Sequence, residues 1–543
     1  MPNSLTAELR AATERWIAND PDPASRDELT SILARAVDQA PGAADEVADR
    51  MAGPLEFGTA GLRGPVRAGP NGMNVAVVTR TTAGVAAWLT AHGHAGRVVV
   101  IGRDARHGSE AFATASAEVL SAAGFAVKVL PGPLPTPLLA YSVLHYRAAA
   151  GIQITASHNP PADNGYKLYD ATGGQIVPPS DGEIEQAIRA APAAADVPRA
   201  GGVEVVDPSE AYLAEVASLP RGTARELRIA ATALHGVGAE TLRAALAGAG
   251  FTDVHLVAAQ AEPDADFPTV SFPNPEEPGA ADLLLALASE VDADLAVALD
   301  PDADRCALGV PAPEGTWRML RGDETGVLLG SHLLSTTDDP DPLVATTIVS
   351  AALLGELAKE TGARYAETLT GFKWLVRAGE GLLFAYEEAL GLCVNPGFVR
   401  DKDGIAAAVA AADLAATLKA HGRGPSDVLD DIARRHGVYL TDQVSLRVTD
   451  LAVRGRLMSA LRAGPPATLG GVPVTLEDLL PGADVLRLHG EGVRVVIRPS
   501  GTEPKLKTYL QVVAPVTGDL SDARRHATTV LGAVRQDVTA LLR

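Results

Sequence analysis

Cysteine is nearly absent: Cys306 and Cys393 are the two in 543 residues, enough for one disulfide and no thiolate cluster for zinc. Such usage predicts a reducing, cytoplasmic setting. Aromatic residues make up only 4% of the chain, so the core has to be built mainly from Ala, Val and Leu. Basic residues are in deficit, 46 against 67 acidic ones, for a formal charge of −21. A surface so acidic argues against binding to nucleic acid or anionic lipid, which need positive charge. It leaves room for an anionic substrate, because a pocket can be positive on an acidic protein. Long hydrophobic runs are missing as well. Residues 343–358 are apolar but carry Thr346, Thr347, Ser350 and Glu356 and are too short to span a bilayer. Residues 1–16 hold Glu8, Arg10, Glu14 and Arg15 and lack the apolar centre of a signal peptide. No membrane partner is expected.

What is present is a globular composition, 47% apolar and 21% charged, far from that of a disordered chain. At roughly 100–200 residues per domain the length predicts about three to five domains. Residues 1–50 are Ala-rich with spaced charges and read as two or three helices. Residues 98–102 (VVVIG) predict a buried strand, followed by a polar loop at 103–109, a helix to residue 123 and a strand at 126–130. Residues 148–155 (AAAGIQIT) give a third strand, and 191–202 a loose connection. The pattern restarts with strands at 227–232, 254–258 and 295–299 (LAVAL) and helices at 239–249 and 281–289. A third set has helices at 323–334 and 351–360 and a strand at 384–386, and from about Gly437 alternating strands lead to a final helix at 523–542. The expected class is α/β: three similar α/β domains with mixed sheets plus a smaller α+β C-terminal domain. The expected boundaries are a helical extension at 1–50 and domains at 51–215, 216–321, 322–436 and 437–543.

Residues 155–169 (TASHNPPADNGYKLY) follow a buried strand, where open α/β sheets place their ligands. Ser157 there can act as a nucleophile if a base and a cation are near. Pro160 and Gly165 shape a rigid turn that returns Lys167 to the same end. A bare Ser-His-Asn triplet would cap a turn; the length of the motif reverses that reading. Residues 300–305 (DPDADR) offer three carboxylates at alternate positions, hard ligands for Mg²⁺ with room left for a phosphate oxygen and water. Residues 263–266 (PDAD) are a decoy in a polar, Pro-rich stretch and read as structure. An aspartate-nucleophile phosphatase also fits Asp-x-Asp after a strand, but expects it at the first strand of a domain. Residues 498–507 (RPSGTEPKLK) combine Gly501 with the hydroxyls of Ser500 and Thr502 and the charges of Arg498, Lys505 and Lys507, a phosphate cradle without a Walker sequence. Its alternative is a Ser-Gly turn between strands. Residues 387–391 (EEALG) pair two carboxylates after a strand and, alone, would start a helix.

These motifs occur with FGTAGLRG at 57–64, GRDARHGS at 102–109, FPTVSFPNPEE at 267–277, TGFKW at 370–374, FAYEEALG at 384–391 and DKDG at 401–404. In this order the set resembles the α-D-phosphohexomutase superfamily, the phosphoglucomutases and phosphomannomutases. Within it, the chain is most similar to the long bacterial phosphosugar mutases related to mammalian phosphoglucomutase-2. The resemblance implies a heart-shaped, four-domain enzyme with a central cleft. Ser157 would carry the phosphoryl group, and Mg²⁺ would lie between it and Asp300, Asp302 and Asp304, with Arg305 beside the metal loop. Glu387 would hold sugar hydroxyls, with Thr370, Gly371 and Ala389 on the sugar side. Arg498, Ser500, Gly501, Thr502 and Lys507 would grip the non-reacting phosphate. Arg63, His158, Lys167 and Lys402 match charge-stabilising or acid/base positions, Lys167 and Arg63 near the transferring phosphate and Lys402 as a general base.

The implied reaction moves phosphate between C1 and the terminal hydroxyl of an aldose through a bisphosphate, with glucose 1,6-bisphosphate as activator. Glucose phosphates are the first expectation, mannose phosphates the near neighbour, and ribose or deoxyribose 1- and 5-phosphates the alternative. Two departures bear on the sugar. Ala389 replaces a Ser found in many glucose and mannose enzymes, as in relatives that favour pentoses, and Gly72 stands where many relatives have Arg. The rivals from other classes are a metal-dependent phosphatase using Asp300 and a non-catalytic sugar-phosphate sensor. The expected partner is a phosphorylated sugar, and the expected assembly a monomer or homodimer.

Overall fold

The computed structural model describes residues 5–56, 61–312, 315–447, 451–499 and 505–542. The chain forms two compact units, Met1–Gly309 with Gly391–Asp413, and Val310–Leu390 with Leu414–Arg543.

The first unit opens with the helices Ala7–Asn19, Pro23–Val37 and Ala43–Arg50. Thr6 and Asp22 cap the first two with their side chains, and Ile32, Ala36, Ala43 and Val47 form the buried seam. Six strands follow: β1 (Leu62–Pro65), β2 (Val98–Arg103), β3 (Ala126–Pro133), β4 (Ala150–Ile154), β5 (Asp163–Asp170) and β6 (Glu204–Val205). They make one sheet in the order β1-β5-β4-β2-β3-β6. β4, β2, β3 and β6 run parallel, and β5 pairs antiparallel with β4 and β1. Helices on the faces of β2 and β4 explain why these strands read as unbroken apolar runs. A second sheet holds β7 (Arg228–Thr232), β8 (Asp253–Leu256), β9 (Leu295–Leu299) and β10 (Cys306–Pro311). β7 is parallel to β8 and β9, and β10 returns antiparallel with Cys306 opposite Leu299. The loop between β9 and β10 is residues 300–305.

In the second unit, β12 (Leu343–Thr347) lies between the parallel strands β13 (Arg364–Thr368) and β14 (Leu382–Glu387), numbering the short strand Trp317–Met319 as β11. The helices Gly322–Thr336, Leu353–Thr361 and Pro425–His436 accompany them. The strands Val438–Arg447, Lys505–Ala514, Val493–Pro499, Leu486–Gly490 and Thr475–Asp478 then pair antiparallel in that order. The helix Leu520–Leu541 buries Leu520, Ala523, Ala527, Leu531, Val534 and Val538, the three-and-four spacing of an amphipathic helix.

Several elements differ from expectation. The apolar stretch 343–358 divides into β12 and the start of the helix Leu353–Thr361. Gly165, expected to shape the turn before Lys167, lies with it on the strand β5. The helices Val75–Ala91, Thr136–His145 and Gly404–Lys419 have no counterpart in the sequence reading, because they are buried over most of their surface and show no polar stripe. Among the described residues, no helix is long and apolar enough to cross a membrane. Both cysteines are free and buried.

Candidate active site

Ser157 lies just past β4 with a left-handed backbone, φ 53°. That conformation costs a non-glycine residue about 1–3 kcal/mol, so the surroundings must impose it. Its amide donates to Thr155 Oγ1 at 2.9 Å. Its buried Oγ donates to Asp300 Oδ2 at 2.7 Å and lies 3.2 Å from His158 Nδ1.

Asp300 begins the return between β9 and β10. Closure of the strands at Leu299 and Cys306 and a left-handed Ala303, φ 55°, fold the carboxylates of Asp300, Asp302 and Asp304 inward. One oxygen from each lies within 4.8 Å of the others. The Arg305 amide donates to Asp300 Oδ1 at 3.0 Å, and Thr136 Oγ1 donates to Asp302 Oδ2 at 2.5 Å. Period-two alternation along β5 points Lys167 to the same place, where its Nζ donates to Asp302 Oδ2 and Asp304 Oδ2, each at 2.7 Å. Lys402 Nζ is 2.9 Å from Asp304 Oδ2. Arg63 Nη1 donates to Asn159 Oδ1 at 3.2 Å, and Arg305 Nη1 lies 3.8 Å from Glu276.

The electrostatics divide the carboxylates. Burial, reinforced by Asp302 and Asp304, pushes the Asp300 carboxyl well up. Burial also opposes ionisation of Asp304, but Lys167, Lys402 and Arg305 outweigh it and hold that carboxyl far below its ordinary range. Asp302 is likewise held down, Lys167 prevailing over burial and Asp304. Burial works against the charge on Lys167, but Asp302 and Asp304 outweigh it and hold the ammonium above its ordinary range. His158 is held well below its usual value by burial, with Arg305 and Arg63 adding to the effect, and is therefore neutral near pH 7.

Asp302 Oδ1 and Asp304 Oδ1 are buried and accept no hydrogen bond. With Asp300 they form a hard-oxygen donor set that fits a cation such as Mg²⁺. The decoy at 263–266 is structural: Asp264 accepts the Asp266 amide at 2.9 Å, and Asp266 meets His107.

The segment carrying Lys402 is fixed by groups to which the sequence reading assigned no role. Asp401 Oδ2 accepts from Tyr169 Oη at 2.7 Å and from Gln175 Nε2 at 2.8 Å. Asp403 accepts from Tyr212 Oη at 2.8 Å. The Gly404 amide donates to Ala303 O at 3.2 Å, and a Cβ on Gly404 would come within 2.4 Å of Arg305 O. Tyr169 stands inside the TASHNPPADNGYKLY motif, which was its only sequence signal.

The remaining candidates belong to the second unit. Glu387 ends β14. Its neighbour Glu388, missed as a separate feature, is half-buried and accepts from Ser350 Oγ at 3.0 Å and Thr347 Oγ1 at 3.2 Å. Ala389 follows in the turn, and Thr370 and Gly371, with φ 111°, lead into the short helix Phe372–Leu375. Arg498 lies opposite Lys507 across the Val493–Pro499 and Lys505–Ala514 pairing, and its guanidinium donates to Tyr509 Oη at 3.3 Å. Ser500, Gly501 and Thr502 lie outside the described residues.

The family models for the phosphoglucomutase/phosphomannomutase alpha/beta/alpha domains I, II and III match residues 54–195, 210–313 and 321–436, and that for the C-terminal domain matches 447–515. A Haemophilus influenzae protein named "Probable phosphomannomutase" is 43% identical over 81% of this chain and 93% of its own length. The phosphopentomutase of Mus musculus is 32% identical over 98% of this chain and 95% of its own. A Staphylococcus epidermidis phosphoglucomutase is 33% identical over 84% and 90%. The crystal structure of a phosphoglucomutase/phosphomannomutase family protein from Burkholderia thailandensis shares the fold, with TM-score 0.71, 21% identity and coverage of 89% and 97%. With all four domains matched in order and relatives aligned over nearly its whole length, this chain belongs to the phosphoglucomutase/phosphomannomutase family and is a phosphomutase, an isomerase that works by phosphoryl transfer.

Proposed function

We propose that the chain interconverts the 1- and 6-phosphates of a hexose, glucose ahead of mannose, with Ser157 giving and regaining the phosphoryl group. The observation that carries this reading is the Ser157 hydroxyl, buried and 2.7 Å from Asp300 within a ring of aspartates and lysines. In the phosphorylated enzyme His158 starts protonated and Lys402 starts as the neutral amine. In the forward step the bond from phosphorus to the serine oxygen breaks as His158 gives that oxygen its proton, the bond to a free sugar hydroxyl forms, and that hydroxyl gives its proton to the Lys402 amine. The resulting bisphosphate returns its other phosphoryl to Ser157, the now neutral His158 accepts the serine proton, and the Lys402 ammonium gives its proton to the departing sugar oxygen. Lys167, held charged by its two aspartates, and Arg63 balance the charge of the moving group. Asp300, Asp302 and Asp304 would hold Mg²⁺, which would supply further positive charge to the transfer. Glucose 1,6-bisphosphate would load the serine at the start. Glu387, Thr370, Gly371 and Ala389 are assigned to the sugar, and Arg498, Ser500, Gly501, Thr502 and Lys507 to the phosphate that stays. The two buried thiols support a reducing compartment.

A second reading, a pentose 1- and 5-phosphate, is favoured by Ala389, which offers no hydroxyl, and by the phosphopentomutase that aligns with 98% of this chain. The test is kcat/KM on glucose 1-phosphate, mannose 1-phosphate and ribose 1-phosphate with Mg²⁺ and the matching bisphosphate. Glucose 1-phosphate is expected to lead by about tenfold or more. A lead for ribose 1-phosphate would transfer the assignment to pentoses, and net release of inorganic phosphate would turn it to the phosphatase.

A further inference from the structure

The loop that carries Ser157 is built around a side chain with no role in the mechanism above. Arg106, between β2 and the helix Ser109–Ala122, is 4% exposed. Its Nη2 donates to Ser157 O and Asn159 O, both at 2.6 Å, and its Nη1 donates to Pro160 O at 2.8 Å and Asp163 O at 3.1 Å. All four acceptors are main-chain carbonyls of the serine loop. Nε lies 3.4 Å from Asp104 Oδ2. Asp104 is itself fixed, accepting from Ser109 Oγ at 2.5 Å and from the Arg106 amide at 3.0 Å. The ring of Phe267 covers the guanidinium at 4.9 Å, from a residue with left-handed backbone, φ 47°.

Four carbonyl dipoles aimed at one point repel each other unless a cation with several fixed donors sits there. The planar guanidinium provides such a fork, whereas an ammonium places its donors around a single atom. The left-handed backbone of Ser157 is an unfavourable state that needs an external hold, and its own carbonyl is one of the four acceptors. In-line transfer is sensitive to position, a displacement of about 1 Å costing about a hundredfold in rate.

We propose that Arg106, capped by Phe267, is a positioning residue that fixes the Ser157 loop in its transferring conformation. The proposal rests on the reading of Ser157 as the phosphoryl carrier. It gives a function to two motifs, GRDARHGS and FPTVSFPNPEE, that the assignments above leave unused.

The test uses full-length Arg106→Lys and Phe267→Leu with Mg²⁺. Single-turnover transfer from glucose 1,6-bisphosphate to Ser157 is followed by phosphopeptide mass spectrometry. The dissociation constant for glucose 1-phosphate and the folded fraction by circular dichroism are measured at the same temperature. Arg106→Lys is expected to slow transfer by about a hundredfold and Phe267→Leu by a smaller factor, with sugar-phosphate affinity within about twofold of wild type and both proteins folded. Wild-type transfer rates in folded Arg106→Lys overturn the proposal, as does an equal loss of transfer and of sugar-phosphate affinity. If Arg106→Lys does not fold, a folded Phe267→Leu with the wild-type rate overturns it as well. Absence of phosphate on Ser157 in the wild-type protein is a different result, and removes the reading of the carrier itself.

Discussion

Lys167 shows how much the site depends on single side chains. Buried at 1% exposure, its ammonium is the shared partner of Asp302 and Asp304. Lys167→Met keeps the length and apolar burial of the stem and leaves these carboxylates without that cation. Breaking a buried pair in this way costs about 3–5 kcal/mol. The urea midpoint in metal-free buffer should therefore drop, and added Mg²⁺ should raise it more in the variant than in wild type. Equal midpoints in metal-free buffer would contradict this reading. Asp403 makes a pH-dependent contribution of its own. Burial pushes its carboxyl from 3.8 up to about 6. The folded protein therefore binds more protons than the unfolded one between those values. The stabilisation is complete below about pH 4 and is lost as the pH rises through about 6, an effect of about 3 kcal/mol. Asp403→Asn keeps an acceptor for the Tyr212 hydroxyl and does not ionise. Its stability relative to wild type should rise by that amount between pH 4 and pH 7; a constant difference across this range would refute the assignment.

At the scale of elements, the helix Gly322–Thr336 begins against the turn at 388–390, and a Cβ on Gly322 would stand 1.8 Å from Glu388 O. Only glycine allows that approach. Gly322→Ala should displace the turn at 388–390 and lower kcat/KM by about tenfold or more, chiefly through KM. Unchanged steady-state kinetics would show that the turn has no part in sugar binding. The elements legible in the sequence are those whose chemistry is local. VVVIG and LAVAL are continuous apolar runs because both faces of their sheets are covered, and DPDADR places its carboxylates within one loop. The helix Gly404–Lys419, GIAAAVAAADLAATLK, is apolar on nearly every side and offers no period to read. Tyr169 and Arg106 acquire their roles through partners far along the chain, Asp401 at 232 residues and Ser157 at 51. No local spacing encodes such contacts. The Glu387–Glu388 pair was legible as a pair, but its division was not: Glu388 is committed to Thr347 and Ser350, across 41 and 38 residues.

Over the whole molecule, a chain of charge −21 handles an anion because the relevant cations act at short range. Screening confines the field of exposed acidic groups to about 8 Å in physiological salt, whereas Lys167 and Lys402 stand within 3 Å of buried aspartates. The small-residue core follows from the same composition. Ala-rich helices pack close, as where Gly84 meets the backbone of Ile188, a Cβ there coming within 2.6 Å, and few aromatics are needed to fill the space. The central claim is that phosphate passes through Ser157. The most direct measurement is phosphopeptide mapping of wild type and Ser157→Ala after incubation with glucose 1,6-bisphosphate and Mg²⁺, alongside mutase turnover. Wild type should gain phosphate on Ser157 and lose it when glucose 1-phosphate is added, while Ser157→Ala gains none and turns over no substrate. Phosphate on another residue, or turnover in Ser157→Ala, would contradict the account.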